Sequence, residues 1–325
     1  MHLPKPQLQT PVLFLIFNRL DATKQVFEVI RQAQPPRLYV ASDGPRTERP
    51  GESEKVQAVK DHVLKNIDWT CEVKTLFRDK NLGCRVAVSS GLDWFFEHEP
   101  EGIILEDDCL PNMSFFRYCQ DLLTRYRNDT RVMCIAGTNI QENFSSEFSY
   151  FFSRFALMWG WASWRRAWSL YDPKILNWPR LRKTKWLYSL GIGDEIFRLY
   201  WTQIFDKVYS NEINSWDYSW IYSCWREHGL TILPSINLVQ NIGFGNDATH
   251  TTGHHPILEN LVNKQMNWPL IHPNQIEVIY EADQFISKHW FNVTRVKYLK
   301  YLIKSILATF LELHKKCIKN DEGNC

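Results

Sequence analysis

Pro11-Val12-Leu13-Phe14-Leu15-Ile16-Phe17-Asn18-Arg19 is an unbroken apolar run closed by two polar residues. Apolar residues without alternation describe a strand buried on both faces, and such a strand needs helices above and below its sheet. The next stretch supplies one. Asp21 is a plausible N-cap, and Ala22, Val26, Val29, Ile30 and Ala33 recur at helical spacing. The pattern then repeats. Residues 38–41 read as a strand, with Val56, Val59, Val63, Leu64 and Ile67 marking a helix; residues 72–77 read as a third strand leading into a helix through Phe96. Residues 102–105 and 132–136 are further strands, separated by a helix with Phe115, Phe116, Cys119, Leu122, Leu123 and Tyr126 on one face. Strands alternating with helices of this length predict an α/β fold, a mostly parallel Rossmann-like sheet with helices on both sides.

Composition narrows the function. The chain has 325 residues, 44% hydrophobic and 23% charged, which is ordinary for a globular protein. Lys plus Arg number 38 against 36 Asp plus Glu, so the basic excess of a nucleic-acid binder is missing. Cysteines stand at 71, 84, 109, 119, 134, 224, 317 and 325 with no CxxC pair, which reads as a set of reduced thiols in a cytoplasmic protein. The first apolar run is too short for a secretory signal, and no stretch reaches the ~20 apolar residues of a membrane span. Ten of the fourteen tryptophans crowd between Trp159 and Trp225, as core packing or in part as a sugar-stacking surface. Near the end, Lys297, Lys300, Lys304, Lys315, Lys316 and Lys319 flank an apolar helical pattern. That pattern suits a helix lying peripherally on an anionic membrane, and equally a terminal helix docked on the protein.

Open parallel sheets bind ligands at the carboxyl ends of their strands. The polar residues there are Asn18-Arg19, Ser42-Asp43-Gly44 and Glu106-Asp107-Asp108. Neither GxGxxG nor GxxxxGK[ST] follows the first strand, which disfavours a dinucleotide oxidoreductase and a P-loop ATPase. Three successive carboxylates at the end of a buried strand repel one another unless a cation joins them, and hard oxygen ligands select Mn²⁺ or Mg²⁺. An acidic loop or helix start is the plainer account of the same residues.

These segments, with Trp216-Asp217-Tyr218-Ser219-Trp220 further on, resemble the N-acetylglucosaminyltransferase I family. They look closer still to its bacterial relatives among the GT-A nucleotide-sugar transferases, some of them labelled haemolytic protein. The resemblance runs from about residue 10 to about residue 255 and rests on motif order. It implies a metal-dependent, inverting glycosyltransferase that moves a sugar from a nucleoside diphosphate, most simply a UDP-sugar, to a hydroxyl of a glycan or glycolipid, as in surface polysaccharide assembly. By the same resemblance Arg19 and Asp43 touch the nucleotide, and Glu106 and Asp107 face the nucleotide sugar. Asp108, in the place of the family's DXD ligand, holds the metal directly. Asp217 matches the catalytic base, although Tyr218 and Ser219 give this segment one more residue than the family's Trp-Asp-Asp-Trp. Glu212, Asp194 and Glu195 compete for that role.

Chemistry supports two separate acidic sites, since inverting transfer needs a base for the acceptor hydroxyl and a cation for the departing diphosphate. The plainer account of Asp217 is a helix N-cap ahead of Tyr218 to Arg226, and one residue could serve as both. The segment after the third strand, Asn81 to Arg85, is similar to an Asn-x-Gly segment that sits near the nucleotide sugar in GT-A sugar transferases generally, which implies Asn81 and Arg85 as further donor-binding candidates; it reads equally as a plain turn and helix start. The Gly- and Asn-rich stretch 241–250 has a loop's composition and corresponds in order to the loop that closes over the donor in the family it resembles, which implies His250 as a candidate for the metal or diphosphate, against a simple loop histidine. The expected organisation is a nucleotide-sugar half at 8–140, an acceptor and catalytic half at 141–285, and a tail at 286–325. The competing reading is a non-catalytic nucleotide-sugar or glycan binder of the same fold, which would release no nucleoside diphosphate.

Overall fold

A computed structural model describes residues 8–141, 146–191, 193–244, 256–259, 261–296 and 299. Ten strands are present among them: β1 Val12–Ile16, β2 Arg37–Ser42, β3 Glu72–Phe77, β4 Glu101–Glu106, β5 Cys109–Pro111, β6 Val132–Ala136, β7 Tyr150–Ser153, β8 Trp161–Trp164, β9 Leu230–Pro234 and β10 Val239–Asn241. The helices are α1 Leu20–Ala33, α2 Glu52–Lys65, α3 Cys84–His98, α4 Ser114–Tyr126, α5 Arg165–Trp168, α6 Trp178–Leu181, α7 Trp186–Ser189, α8 Glu195–Tyr209, α9 Asp217–Arg226, α10 Pro256–Glu259 and α11 Tyr280–His289.

Eight strands form one sheet in the order β3-β2-β1-β4-β8-β6-β9-β7, and β10 pairs with β5 in a small antiparallel sheet. β1 runs parallel to both β2 and β4, as the unbroken apolar runs predict, with Phe14 opposite Val40 on one side and Leu105 on the other. β8 and β7 are antiparallel to their neighbours, so the sheet is mixed. Successive side chains of a strand face opposite ways. Accordingly Leu13, Leu15, Tyr39 and Ile104 join one core with α3 and the Trp-rich region, while Val12, Phe14, Val40 and Leu105 join the other with α1, α2 and α4. β8, from the second half of the chain, lies between β4 and β6 of the first. The two halves therefore share a single sheet and both of its cores.

Several sequence expectations shift on inspection. α1 starts at Leu20 with Arg19 at its N-cap position and no side-chain cap bond; Asp21 sits in the first turn, beside the positive helix end. Core packing holds for eight of the ten tryptophans between 159 and 225, because Trp161, Trp164, Trp168, Trp178, Trp201, Trp216, Trp220 and Trp225 are buried. Trp159 and Trp186 are half-buried. The six described cysteines are free thiols. Among the described residues no helix is long and apolar enough to cross a membrane. Most of the basic tail lies outside the described residues.

Candidate active site

From β1 the chain moves to β2 on one side and later places β4 on the other. That reversal leaves a crevice at the carboxyl ends of β1 and β4, the usual ligand position in an open α/β sheet. Arg19 enters the crevice from the β1 side and Asp107 and Asp108 from the β4 side. The Arg19 guanidinium lies 2.6 Å from Asp107 Oδ1 and 2.9 Å from Asp108 Oδ2, and the Phe17 N–H donates to Asp107 Oδ2 at 3.1 Å. Burial works against the charge of Arg19, but Asp107 and Asp108 more than offset it and hold the guanidinium above its ordinary pKa.

Glu106 is pushed well above the usual carboxylate range by burial, then by the charges of Asp108 and Asp107, with Arg19 opposing. Asp107 is raised by burial against the pull of Arg19. Among the described residues Arg19 pairs with two of the three clustered carboxylates and acts on the third, Glu106, only through its charge.

The second acidic group arrives from over a hundred residues away. Asp217 is the first residue of α9; Trp216 holds the N-cap position without a side-chain cap bond. Asp217 Oδ1 accepts hydrogen bonds from the Ser215 hydroxyl and, at 2.8 Å, from the Tyr218 N–H. Its charge raises the pKa of Glu106. The Cys84 thiol, at the start of α3, is driven up to about 12 by burial and then by Glu106, Asp217, Asp43 and Asp108. These carboxylates thus converge on one region. Tyr218 is raised to about 12 by burial and then by Asp217.

The competitors of Asp217 are engaged elsewhere. Asp194 caps α8 through the N–H groups of Ile196 and Phe197, Glu195 pairs with Arg198 and Tyr188, and Glu212 accepts the Ser210 hydroxyl at 2.7 Å.

Asp43 is placed at the site but its oxygens are occupied. They accept the N–H groups of Gly44, Leu82 and Gly83 at 2.9–3.0 Å, which braces the loop before α3. Asn81 Nδ2 donates to the Gly44 carbonyl at 2.8 Å, and a Cβ on Gly44 would lie 2.5 Å from the Lys80 backbone. Only glycine allows that approach. Arg85 donates to Asn211 Oδ1 at 2.9 Å, and Asn214 lies beside Gly83, so the loop before α3 meets the loop before α9.

Sequence reasoning missed Gly243. Its backbone lies so close to the acidic triplet that a Cβ would stand 2.3 Å from Asp108 Oδ2 and 2.7 Å from Arg19 Nη1. The Ile242 N–H donates to the Asp108 carbonyl at 2.8 Å, carrying the strand pairing of β5 and β10 up to this point. A Gly in a Gly- and Asn-rich stretch was the available signal; which carboxylate it would touch was not. His250 lies outside the described residues.

The donor set fits a hard divalent cation in one specific way. Among the described residues no three His, Cys, Asp or Glu side chains stand together as a ligand cage. Asp107 and Asp108 each turn a carboxylate oxygen toward the Arg19 guanidinium, but Asp107 is also held by the Phe17 N–H and is nearly fully buried, which leaves the more exposed Asp108 as the ligand candidate. A single protein carboxylate completed by water and phosphate oxygens is a common way to hold Mg²⁺ or Mn²⁺.

No protein-family model and no curated protein matches this chain. Among solved structures it overlaps HddC from Yersinia pseudotuberculosis at TM-score 0.27 and 10% identity, covering 44% of this chain and 59% of that one. TarS residues 1–349 from S. aureus overlaps at TM-score 0.39 and 9% identity, with 71% and 59% covered. The galactosyltransferase LgtC, solved with donor and acceptor sugar analogues, overlaps at TM-score 0.33 and 12% identity, with 66% and 70% covered. The chain thus spans 59% of the length of the first two. Overlaps this partial assign neither fold nor function.

Proposed function

We propose that this chain is a metal-dependent, inverting glycosyltransferase acting on a nucleoside-diphosphate sugar, in the first place a UDP-sugar, with a glycan or glycolipid hydroxyl as acceptor. The observation that carries the reading is the meeting of Glu106, Asp107, Asp108 and Arg19 at the crevice between β1 and β4 with Asp217 from α9. A cation paired with the acidic triplet and a second acidic group, Asp217, match the needs of sugar transfer, and the sequence motifs stand in the order of the family they resemble.

In this reading Asp217 takes the proton of the acceptor hydroxyl as its oxygen attacks the anomeric carbon, and the bond to the diphosphate breaks on the opposite face. The Ser215 and Tyr218 hydrogen bonds hold one Asp217 oxygen and orient the carboxylate. Arg19 carries positive charge to the place where the leaving diphosphate gains negative charge. Asp108 would hold Mn²⁺ or Mg²⁺, which supplies further charge stabilisation of that leaving group. Asp43, Asn81 and Arg85 act through the loop they brace, which forms the wall beside the nucleotide.

Release of UDP from UDP-sugars with and without Mn²⁺ tests the proposal. Metal-dependent release, lost in Asp108→Asn at unchanged melting temperature, is the expected result. A folded wild-type protein that releases no nucleoside diphosphate from any common donor would overturn it in favour of a binding protein.

A further inference from the structure

The order of strands along the crevice orders the parts of a ligand lying across it. If the diphosphate sits at Arg19 and Asp108, between β1 and β4, the braced loop at Asp43 and Leu82 bounds the β2 side. The other flank of the crevice, beyond β4, is the β8 side. That side carries an aromatic wall assembled from three distant parts of the chain.

Trp159 stands two residues before β8, whose first residue, Trp161, pairs with Ile104 near the carboxyl end of β4. Phe244 directly follows Gly243, the residue packed on Asp108. Trp290 follows α11. The ring centroids of Trp159 and Trp290 are 4.5 Å apart, and Phe244 meets Trp159 edge-on at 5.7 Å.

All three side chains are half-buried, whereas the eight buried tryptophans belong to the core proper. Gly160 fixes the placement of Trp159. Its φ is +61°, and a Cβ there would come within 2.7 Å of Val239 and 3.3 Å of Leu105, so the chain turns tightly over the ends of β4 and β10 immediately after the indole.

We infer that Trp159, Phe244 and Trp290 form the acceptor subsite and receive a pyranose ring through its C–H face. The inference rests on the proposed function and adds the location and chemistry of the acceptor. Indole rings present a large apolar surface with a negative face, which suits the polarised C–H groups on one side of a sugar ring. A β-galactoside, with H3, H4 and H5 on one face, is the best-matched simple probe.

Saturation-transfer NMR with methyl β-galactopyranoside, in the presence of Mn²⁺ and UDP, tests this on the full-length protein. Saturation is expected to concentrate on H3, H4 and H5, to persist in Trp290→Tyr and to fall at least fivefold in Trp290→Leu, which keeps apolar bulk but not the ring. Equal transfer to the Leu and Tyr variants would overturn the inference. So would wild-type transfer spread evenly over the sugar or centred on the methyl aglycone, a readout that needs no variant to fold. UDP binding, measured by calorimetry on the same wild-type sample, separates the two levels. UDP bound with no sugar saturation removes the aromatic subsite alone, whereas absence of UDP binding removes the functional reading beneath it.

Discussion

At Gly243 a single missing methyl group keeps the acidic triplet and Arg19 in their observed arrangement. Gly243→Ala would place a carbon 2.3 Å from Asp108 Oδ2, so either the Asp108–Arg19 pair or the backbone must move. Overpacking of this kind costs about 1–3 kcal/mol of stability. The larger effect is expected in Mn²⁺-supported UDP binding, weakened at least tenfold by calorimetry; unchanged binding would show that Gly243 only fills space. Asp217 allows a cleaner separation of roles. Asn at this position retains a carbonyl oxygen for the Ser215 and Tyr218 hydrogen bonds. Asp217→Asn should therefore melt close to the wild type, while sugar transfer falls by about 10²–10⁴-fold, roughly 3–5 kcal/mol of barrier. A mutant that transfers sugar at the normal rate would return Asp217 to a purely local role at the start of α9.

Among the elements, the loop before α3 and helix α11 depend on buried or half-buried carboxylates in opposite senses. Asp43 uses its charge to gather the N–H groups of Gly44, Leu82 and Gly83. Asp43→Ala leaves these donors without that acceptor, at about 1–3 kcal/mol for each one that stays unpaired. Faster amide exchange confined to residues 79–85 is the expected readout. Asp283 of α11 is instead fully buried against β7, where it accepts the Ser153 hydroxyl and the Arg154 N–H. Burial raises its pKa to about 6, with those two hydrogen bonds and the charge of Arg154 opposing. A carboxyl that binds its proton more tightly in the folded state favours folding fully below its unfolded value of about 3.9. That contribution is lost as the pH rises through about 6. Exchange protection of residues 280–289 should accordingly increase from pH 7 to pH 5, and this pH dependence should vanish in Asp283→Asn.

Over the whole molecule, the strand order makes the first half of the chain dependent on the second. Without β8 there is no strand between β4 and β6, and β6 also loses its parallel partner β9. A fragment of residues 8–140 would expose both strand edges and the apolar faces that the Trp-rich region covers. It should fail to give the dispersed NMR spectrum of a folded domain, while the full-length chain gives one. A well-dispersed spectrum from the fragment would show the nucleotide half to be autonomous.

The sequence by itself determined the strand–helix alternation of residues 12–136 and the polar residues that end β1, β2 and β4. Those follow from local rules: a strand buried on both faces must be apolar throughout, and the first polar residues after it mark its end. Tertiary structure decided what those rules do not reach. The antiparallel insertion of β8 is a pairing between segments some sixty residues apart along the chain. The engagement of Asp43 with Leu82 and Gly83, the contact of Gly243 with Asp108 and the nearness of Asp217 to Glu106 are likewise long-range. Each is fixed by where the sheet and the loops carry a residue, and its neighbours in sequence hold no imprint of the partner. The tryptophans make the same point: residue type alone leaves core and binding surface open, and the depth at which the fold sets each ring separates Trp161 and Trp220 from Trp159 and Trp290.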